Sequence, residues 1–186
     1  MTFLLESSWK DYYNCGEILI REMTIELKTP TWQDMDSIRW LWGDEETMAA
    51  VGGPVHLTDD QAMEWFLRVV DPGGQQDHYR LIFNEDQHLV GEVSFHQYDP
   101  KPRSAMFNLK IISSERGKGN ARAAIHDFLT IFFNELEGHI MLDDIALDNL
   151  RGQEVLLQFG FLHDPSRKDV FRVYITKERF NCLYTS

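Results

Sequence analysis

The passage from Ala105–Ile112 into Ser113-Ser114-Glu115-Arg116-Gly117-Lys118-Gly119-Asn120-Ala121 constrains the fold more than any other part of the chain. An apolar, strand-like run ends there and a short polar loop with two glycines follows. A strongly amphipathic segment then begins, with Ala121, Ile125, Phe128, Leu129, Phe132 and Leu136 along one face. A strand that feeds directly into a helix of this kind belongs to a sheet covered by helices. The start of such a helix leaves backbone N–H groups unpaired at the positive end of its dipole, a combination that favours a phosphate. Glycine lets the backbone approach the anion without a side chain in the way. Arg116, Lys118 and Arg122 concentrate positive charge here, in a chain whose formal net charge is −12.

Two familiar phosphate loops do not fit. A P-loop requires Gly-Lys-Ser/Thr, and Gly119 is followed by Asn120. A dinucleotide fingerprint requires a third glycine that Gly117-Lys118-Gly119-Asn120-Ala121-Arg122 lacks, and the strands before it read as antiparallel. An ordinary glycine-rich strand-to-helix turn is the remaining alternative.

The other elements alternate along the chain. Thr24–Leu27 reads as a strand, Asp34–Trp42 as a helix capped by Thr31, and Thr58-Asp59-Asp60 opens a second helix with Ala62, Trp65, Phe66 and Val69. Tyr79–Phe83, Leu89–His96 and Ala105–Ile112 form an antiparallel meander. Ile140–Ile145 is a strand, Leu150–Phe159 a helix and Asp169–Ile175 a last strand. The expected fold class is α/β (α+β), with a mixed, mostly antiparallel sheet of six to seven strands and helices on both faces.

Residues 23–186 form a single domain, and residues 1–22 an N-terminal extension of poorly periodic apolar residues. That extension packs on the domain, packs on a second copy in a homodimer, or is incidental to a start at Met23.

With 43% hydrophobic and 12% aromatic residues, 186 residues can bury one core. No apolar run approaches the roughly 18 residues of a membrane span, and Met1-Thr2-Phe3-Leu4-Leu5-Glu6 has no signal-peptide pattern. Cys15 and Cys182 lack metal-ligand spacing, so neither a disulfide scaffold nor a metal site is expected and a cytoplasmic location follows. The acidic balance argues against nucleic acid as the main partner, and the lack of a long apolar run against a membrane. It is compatible with a cationic acceptor, and equally with a merely soluble surface.

Arg116, Gly119 and Ala121 meet the pattern R/Q-x-x-G-x-G/A. Asn149 and the run Val155-Leu156-Leu157-Gln158-Phe159-Gly160-Phe161 follow at the spacing of a second block, an asparagine and then an apolar helix ending in Gly-Phe. On these motifs and the element order from Met23 to about Phe180, the chain resembles the GNAT superfamily of N-acetyltransferases. The resemblance implies acetyl-CoA as co-substrate, no metal, and transfer of an acetyl group to a primary amine of a small molecule or a protein N-terminus. It also implies that the backbone of Arg116, Gly117, Lys118, Gly119, Asn120 and Ala121, with Arg122 beside it, holds the pyrophosphate. The main chain of Lys110, Ile111 and Ile112 would pair with the pantetheine arm, and Asn149 would help to hold that arm, cap a helix, or do both.

One departure stands out. Leu156 occupies the position where members of the superfamily carry a tyrosine that protonates the leaving thiolate, and Tyr174 is a distant substitute. The alternative is therefore a catalytically weak CoA-binding sensor or assembly module of the same fold. The family glutamate usual near Met106 is also absent. Candidate bases are Glu92, His96, Asp143 and Asp144, with Glu92 and Asp144 assigned as catalytic. Glu92, Ser94 and His96 share one strand face by period two, while Asp143 and Asp144 point to opposite faces. Val51-Gly52-Gly53-Pro54-Val55-His56 is the acceptor loop, and Trp40 and Trp42 either wall it or pack in the core.

Overall fold

The structure, a computed structural model, describes residues 24–184. Seven strands form one sheet in the order β1-β2-β3-β4-β5-β7-β6. They are β1 (Ile25–Lys28), β2 (His78–Asn84), β3 (Leu89–Asp99), β4 (Ser104–Ile111), β5 (Ile140–Ile145), β6 (Leu162–Asp164) and β7 (Phe171–Thr176). All neighbours are antiparallel except β4 and β5. The helices are α1 (Met35–Gly43), α2 (Glu45–Met48), α3 (Asp59–Val69), α4 (Asn120–Thr130), α5 (Leu150–Phe159) and α6 (Lys177–Tyr184). The sequence patterns point to no element at β6 or α6, and both are present. The expectations for residues 1–22 lie outside the described residues.

Local chemistry explains the helix boundaries. Thr58 and Gln61 form a reciprocal cap, with Thr58 N–H donating to Gln61 Oε1 at 2.9 Å and Gln61 N–H to Thr58 Oγ1 at 3.3 Å, so α3 begins there. Asn149 caps α5 by accepting from Gly152 N–H at 2.9 Å, and Gly160 at φ +121° ends it. α4 continues past Thr130 into a π-helical turn, Ile131–Glu135, which keeps Phe132 and Phe133 buried.

Two apolar clusters lie on opposite faces of the sheet. The larger joins β3, β4, β5 and β7 to α4, α5 and α6 through Val93, Phe95, Phe107, Phe128, Met141, Leu156, Val173 and Phe180. The smaller packs Met35 and Ile38 of α1 and Ala62 and Phe66 of α3 over Tyr79 and Leu81 of β2. Strand alternation therefore assigns Tyr79, Glu92 and Lys110 to the α1/α3 face, and Phe107, Met141 and Asp143 to the α4/α5 face. Cys182 in α6 is disulfide-bonded, against the expectation of reduced thiols.

His78 opens β2 with its ring stacked on Phe95, centroids 5.4 Å apart, and its buried Nε2 has no hydrogen-bond partner. Burial, aided by the charge of Arg80, lowers its pKa from 6.5 to about 4. Between these values the unfolded chain binds a proton that the folded chain refuses, so stability falls as pH drops from about 6.5 towards 4. His78→Phe keeps the stack and removes the titration. Urea midpoints measured at pH 4.5 and 7.5 are expected to differ less in this variant than in the parent.

Candidate active site

The site begins where the sheet stops being continuous. β4 and β5 pair only at Ser104↔Ile140, Ala105↔Met141 and Met106↔Leu142. Beyond that point β4 stays paired to β3 as far as Ile111, and β5 stays paired to β7 as far as Ile145. The segments Phe107–Ile111 and Asp143–Ile145 therefore face each other across a gap with no ladder between them. Unpaired backbone groups along such an edge are ready partners for an amide-bearing chain.

The ladder divides the predicted pantetheine-binding segment. Ile112 N–H donates to Val90 O at 3.0 Å, so Ile112 faces β3. Lys110 O also faces β3, since a Cβ built on Gly91 would lie 2.2 Å from it. Alternation then turns the main chain of Phe107, Leu109 and Ile111 towards the gap. Of Lys110, Ile111 and Ile112, only Ile111 presents its backbone there, and its carbonyl already accepts from Arg116 Nε at 3.1 Å. Leu109 is a gap-facing residue that sequence reasoning missed. The parity of an antiparallel strand, once its first bonded pair is known, would have found it.

At the end of the gap, the loop turns through Gly117 at φ +78° and Gly119 at φ +95°, a left-handed backbone that side chains resist. Among the described residues, the N–H groups of Gly117, Lys118, Gly119, Asn120 and Ala121 meet no protein acceptor, whereas Arg116 and Arg122 N–H are bonded to Ser113 O and Gly119 O. These open amides head α4, so its dipole adds to their field. The arrangement suits a diphosphate.

The basic side chains divide differently from the expectation. Arg116 staples the loop in place, with Nη2 donating to Thr47 O at 2.8 Å, and Ser113 N–H donates to Thr47 Oγ1 at 3.0 Å. Lys118 pairs with Glu115 at 2.9 Å on the surface. Arg122, in the first turn of α4, has Nε and Nη2 buried without a hydrogen-bond partner among the described residues, and its charge acts on the Tyr184 hydroxyl of α6. Arg151, in the first turn of α5, reaches the loop from another element: its Nη2 lies 3.7 Å from where a Cβ on Gly117 would sit. Asn120 is buried, with Nδ2 donating to Glu115 O at 3.3 Å. Asn149 is fully used by the protein, capping α5 through Oδ1 and donating from Nδ2 to Ala50 O at 3.2 Å. It thereby ties Ala50, the residue before the Val51–His56 loop, to α5.

The carboxylates assigned as catalytic are both engaged. Glu92 is 1% exposed and accepts from Trp42 Nε1 at 2.7 Å, from the Tyr79 hydroxyl and from Lys110 Nζ. Trp65 packs edge-on against Trp42 and Tyr79, closing this cluster on the α1/α3 face. Asp144 accepts from Arg172 Nε and Nη2, each at 2.6 Å, with Arg167 at 3.7 Å. Asp143 has no charged side-chain partner among the described residues. Its carboxyl is pushed up to about 7, first by burial and then by the charge of Asp144, against a hydrogen bond from Asp144 N–H. Burial lowers His96 below its ordinary range. Of the two tryptophans, Trp42 packs into the cluster around Glu92, but Trp40 is 57% exposed and belongs to no core.

A gap between diverging strands, closed at one end by open amides at a helix start, defines an acyltransferase of the kind that takes a long anionic thioester. The comparisons with known proteins agree. A family model described as an acetyltransferase (GNAT) domain matches residues 24–162, and the chain belongs to that family. It is an N-acetyltransferase that uses acetyl-CoA. Its fold is similar to that of spermidine N-acetyltransferase from Vibrio cholerae in complex with CoA and spermine, at 20% identity and a TM-score of 0.76 over 84% of this chain and 97% of that one. The same holds for a Vibrio cholerae spermidine/spermine N-acetyltransferase in complex with manganese ions, at 20% identity and a TM-score of 0.68 over 84% of this chain and 94% of that one. No curated protein matches the sequence. Among the described residues, no cluster of His, Cys, Asp or Glu could hold a metal, and no helix is long and apolar enough to cross a membrane.

Removing one partner of a buried ion pair strands the other charge. Glu92→Gln is therefore expected to lower unfolding stability by about 3 kcal/mol in urea titrations. The double variant Glu92→Gln, Lys110→Met should recover most of that loss. A Glu92→Gln protein of unchanged stability and abolished turnover would instead mark Glu92 as a base.

Proposed function

We propose that this chain transfers an acetyl group from acetyl-CoA to a primary amine of a small cationic molecule, with a protein N-terminus as the alternative acceptor. The observation that carries the reading is the row of open amides from Gly117 to Ala121 at the end of the β4–β5 gap. In this reading the amides hold the pyrophosphate, with Arg151 beside them. The gap-facing backbone of Leu109 and Ile111 receives the pantetheine arm. Arg116 and Lys118 act by shaping the loop, Arg122 by supplying positive charge at the start of α4, and Asn149 by bracing α5 against Ala50.

A cationic acceptor is supported by the net charge of −12 and by the polyamines named with the similar Vibrio cholerae enzymes. Glu92 and Asp144 serve as counter-charges that position Lys110 and Arg172. A cytoplasmic location belongs to the same reading, and the disulfide at Cys182 is the observation that speaks against it.

Binding to the folded state alone raises stability by mass action. Millimolar acetyl-CoA should raise the melting temperature by several degrees, and Gly119→Trp should abolish that rise by filling the amide nest. An unchanged melting curve in the parent would count against the site.

Leu156 is 4% exposed and both assigned carboxylates are neutralised, and these facts favour a second reading, a weakly active CoA-binding sensor. Thiol release measured across a panel of amines separates the two. Turnover with spermidine or another polyamine, and little with neutral amines, is the expected outcome. Cofactor binding with no turnover on any amine would establish the sensor.

A further inference from the structure

The departing sulfur of a thioester carries away the electron pair of the C–S bond, and proton donation to it speeds the break. Leu156 cannot donate, and Glu92 and Asp144 are tied to cations. We propose that Asp143, on the first turn-out of β5 from its ladder with β4, is the proton donor to the leaving thiolate. This rests on the acyl-transfer reading above.

Three features of position support it. The β4–β5 ladder ends at Met106↔Leu142, so Asp143 is the first residue of the free β5 arm and stands where the gap opens. It pairs with Val173 of β7 and lies between Met141 and Ile145, and these three neighbours are buried in the cluster that α4 and α5 cover. α4 is the helix whose start bears the amide nest, so Asp143 is on the cofactor's side of the sheet, and Asp144 is on the other. The carboxyl is also without a cationic partner among the described residues. Among the described residues, the groups that bear on it electrostatically are the Asp144 carboxylate and the Asp144 N–H. Apolar walls and a like charge both favour the protonated acid, the form that can donate.

The step balances as follows. The neutral amine nitrogen attacks the thioester carbonyl carbon and forms the C–N bond. Collapse of the tetrahedral adduct breaks the C–S bond and leaves its electron pair on sulfur. Asp143 passes its carboxyl proton to that sulfur, which departs as the CoA thiol. The new amide nitrogen sheds its extra proton to water, and the Asp143 carboxylate regains a proton from water.

The test compares the parent with Asp143→Asn and Asp143→Glu, using the amine that turns over best and two acyl donors. One donor is acetyl-CoA. The other is an S-aryl acetyl thioester, whose acidic thiol leaves without help. With acetyl-CoA, Asp143→Asn is expected to lower kcat about a hundredfold and leave the KM for acetyl-CoA within about twofold, a loss confined to the transition state. Asp143→Glu should regain about tenfold of that loss. With the aryl donor the Asn defect should shrink to below about tenfold, which a structural role would not produce.

Asp143→Asn should fold normally, since asparagine keeps the shape of the side chain and, like the protonated acid that burial favours, carries no charge. Melting curves with and without acetyl-CoA check this. Equal losses on both donors, or an Asn variant as fast as the parent, would overturn the assignment. A parent that turned over no amine at all would overturn the enzyme reading on which it rests.

Discussion

Everything in this molecule depends on a sheet that is left unfinished. β4 and β5 pair over only their first residues and then diverge, although each remains bonded to its outer neighbour. Leaving backbone groups unpaired inside a protein costs about as much as a lost hydrogen bond each. The surrounding structure has to hold the strands apart against that cost. Thr47 and Arg116 draw the end of β4 towards α2, and Asn149 braces α5 against Ala50 on the opposite wall. The same contacts that keep the gap open also shape the loop at its end.

That arrangement explains why several residues with the chemistry to touch a ligand are already bonded within the protein. Arg116 matches the motif arginine, but its guanidinium is used by Ile111 O and Thr47 O, both inside the protein. In the proposed reading phosphate recognition is left to main-chain N–H groups, which carry no side-chain entropy and stand in place before any ligand arrives. A helix start framed by two glycines at positive φ attracts an anion even in a strongly acidic protein, because the field of oriented amides acts at contact distance while surface charges are screened by salt.

Much of this was legible in the sequence wherever local rules decide. Leu150–Phe159 was readable to the residue because Asn149 caps it and Gly160 ends it. The antiparallel meander followed from alternation and short connections. The closing helix was missed, although Phe180, Leu183 and Tyr184 stand at helical spacing, because a run of eight residues after a strand carries little periodic signal. β6, of three residues, carries none. The fate of Glu92 was beyond reach for a different reason. Period two gives its face, but Trp42, Tyr79 and Lys110 come from three separate elements, and only tertiary packing brings them onto one carboxylate.

The two aspartates of β5 show how much one residue of register decides. Asp143 and Asp144 have the same side chain and the same strand, and alternation sends them to opposite faces. On one face Arg172 reaches across the ladder and keeps Asp144 charged and saturated. On the other, Val173, Met141 and Ile145 offer no charge at all, and Asp143 is driven towards neutrality. The free negative charge on the arms of the gap is thereby reduced, which suits the anionic co-substrate of the proposed reading. A shift of the β5–β7 register by one residue would exchange these environments. The guanidinium would then lie on the cofactor's side, and the unpaired acid would face the acceptor. The pairing of Asp144 with Arg172 thus fixes the chemistry of its neighbour as firmly as its own.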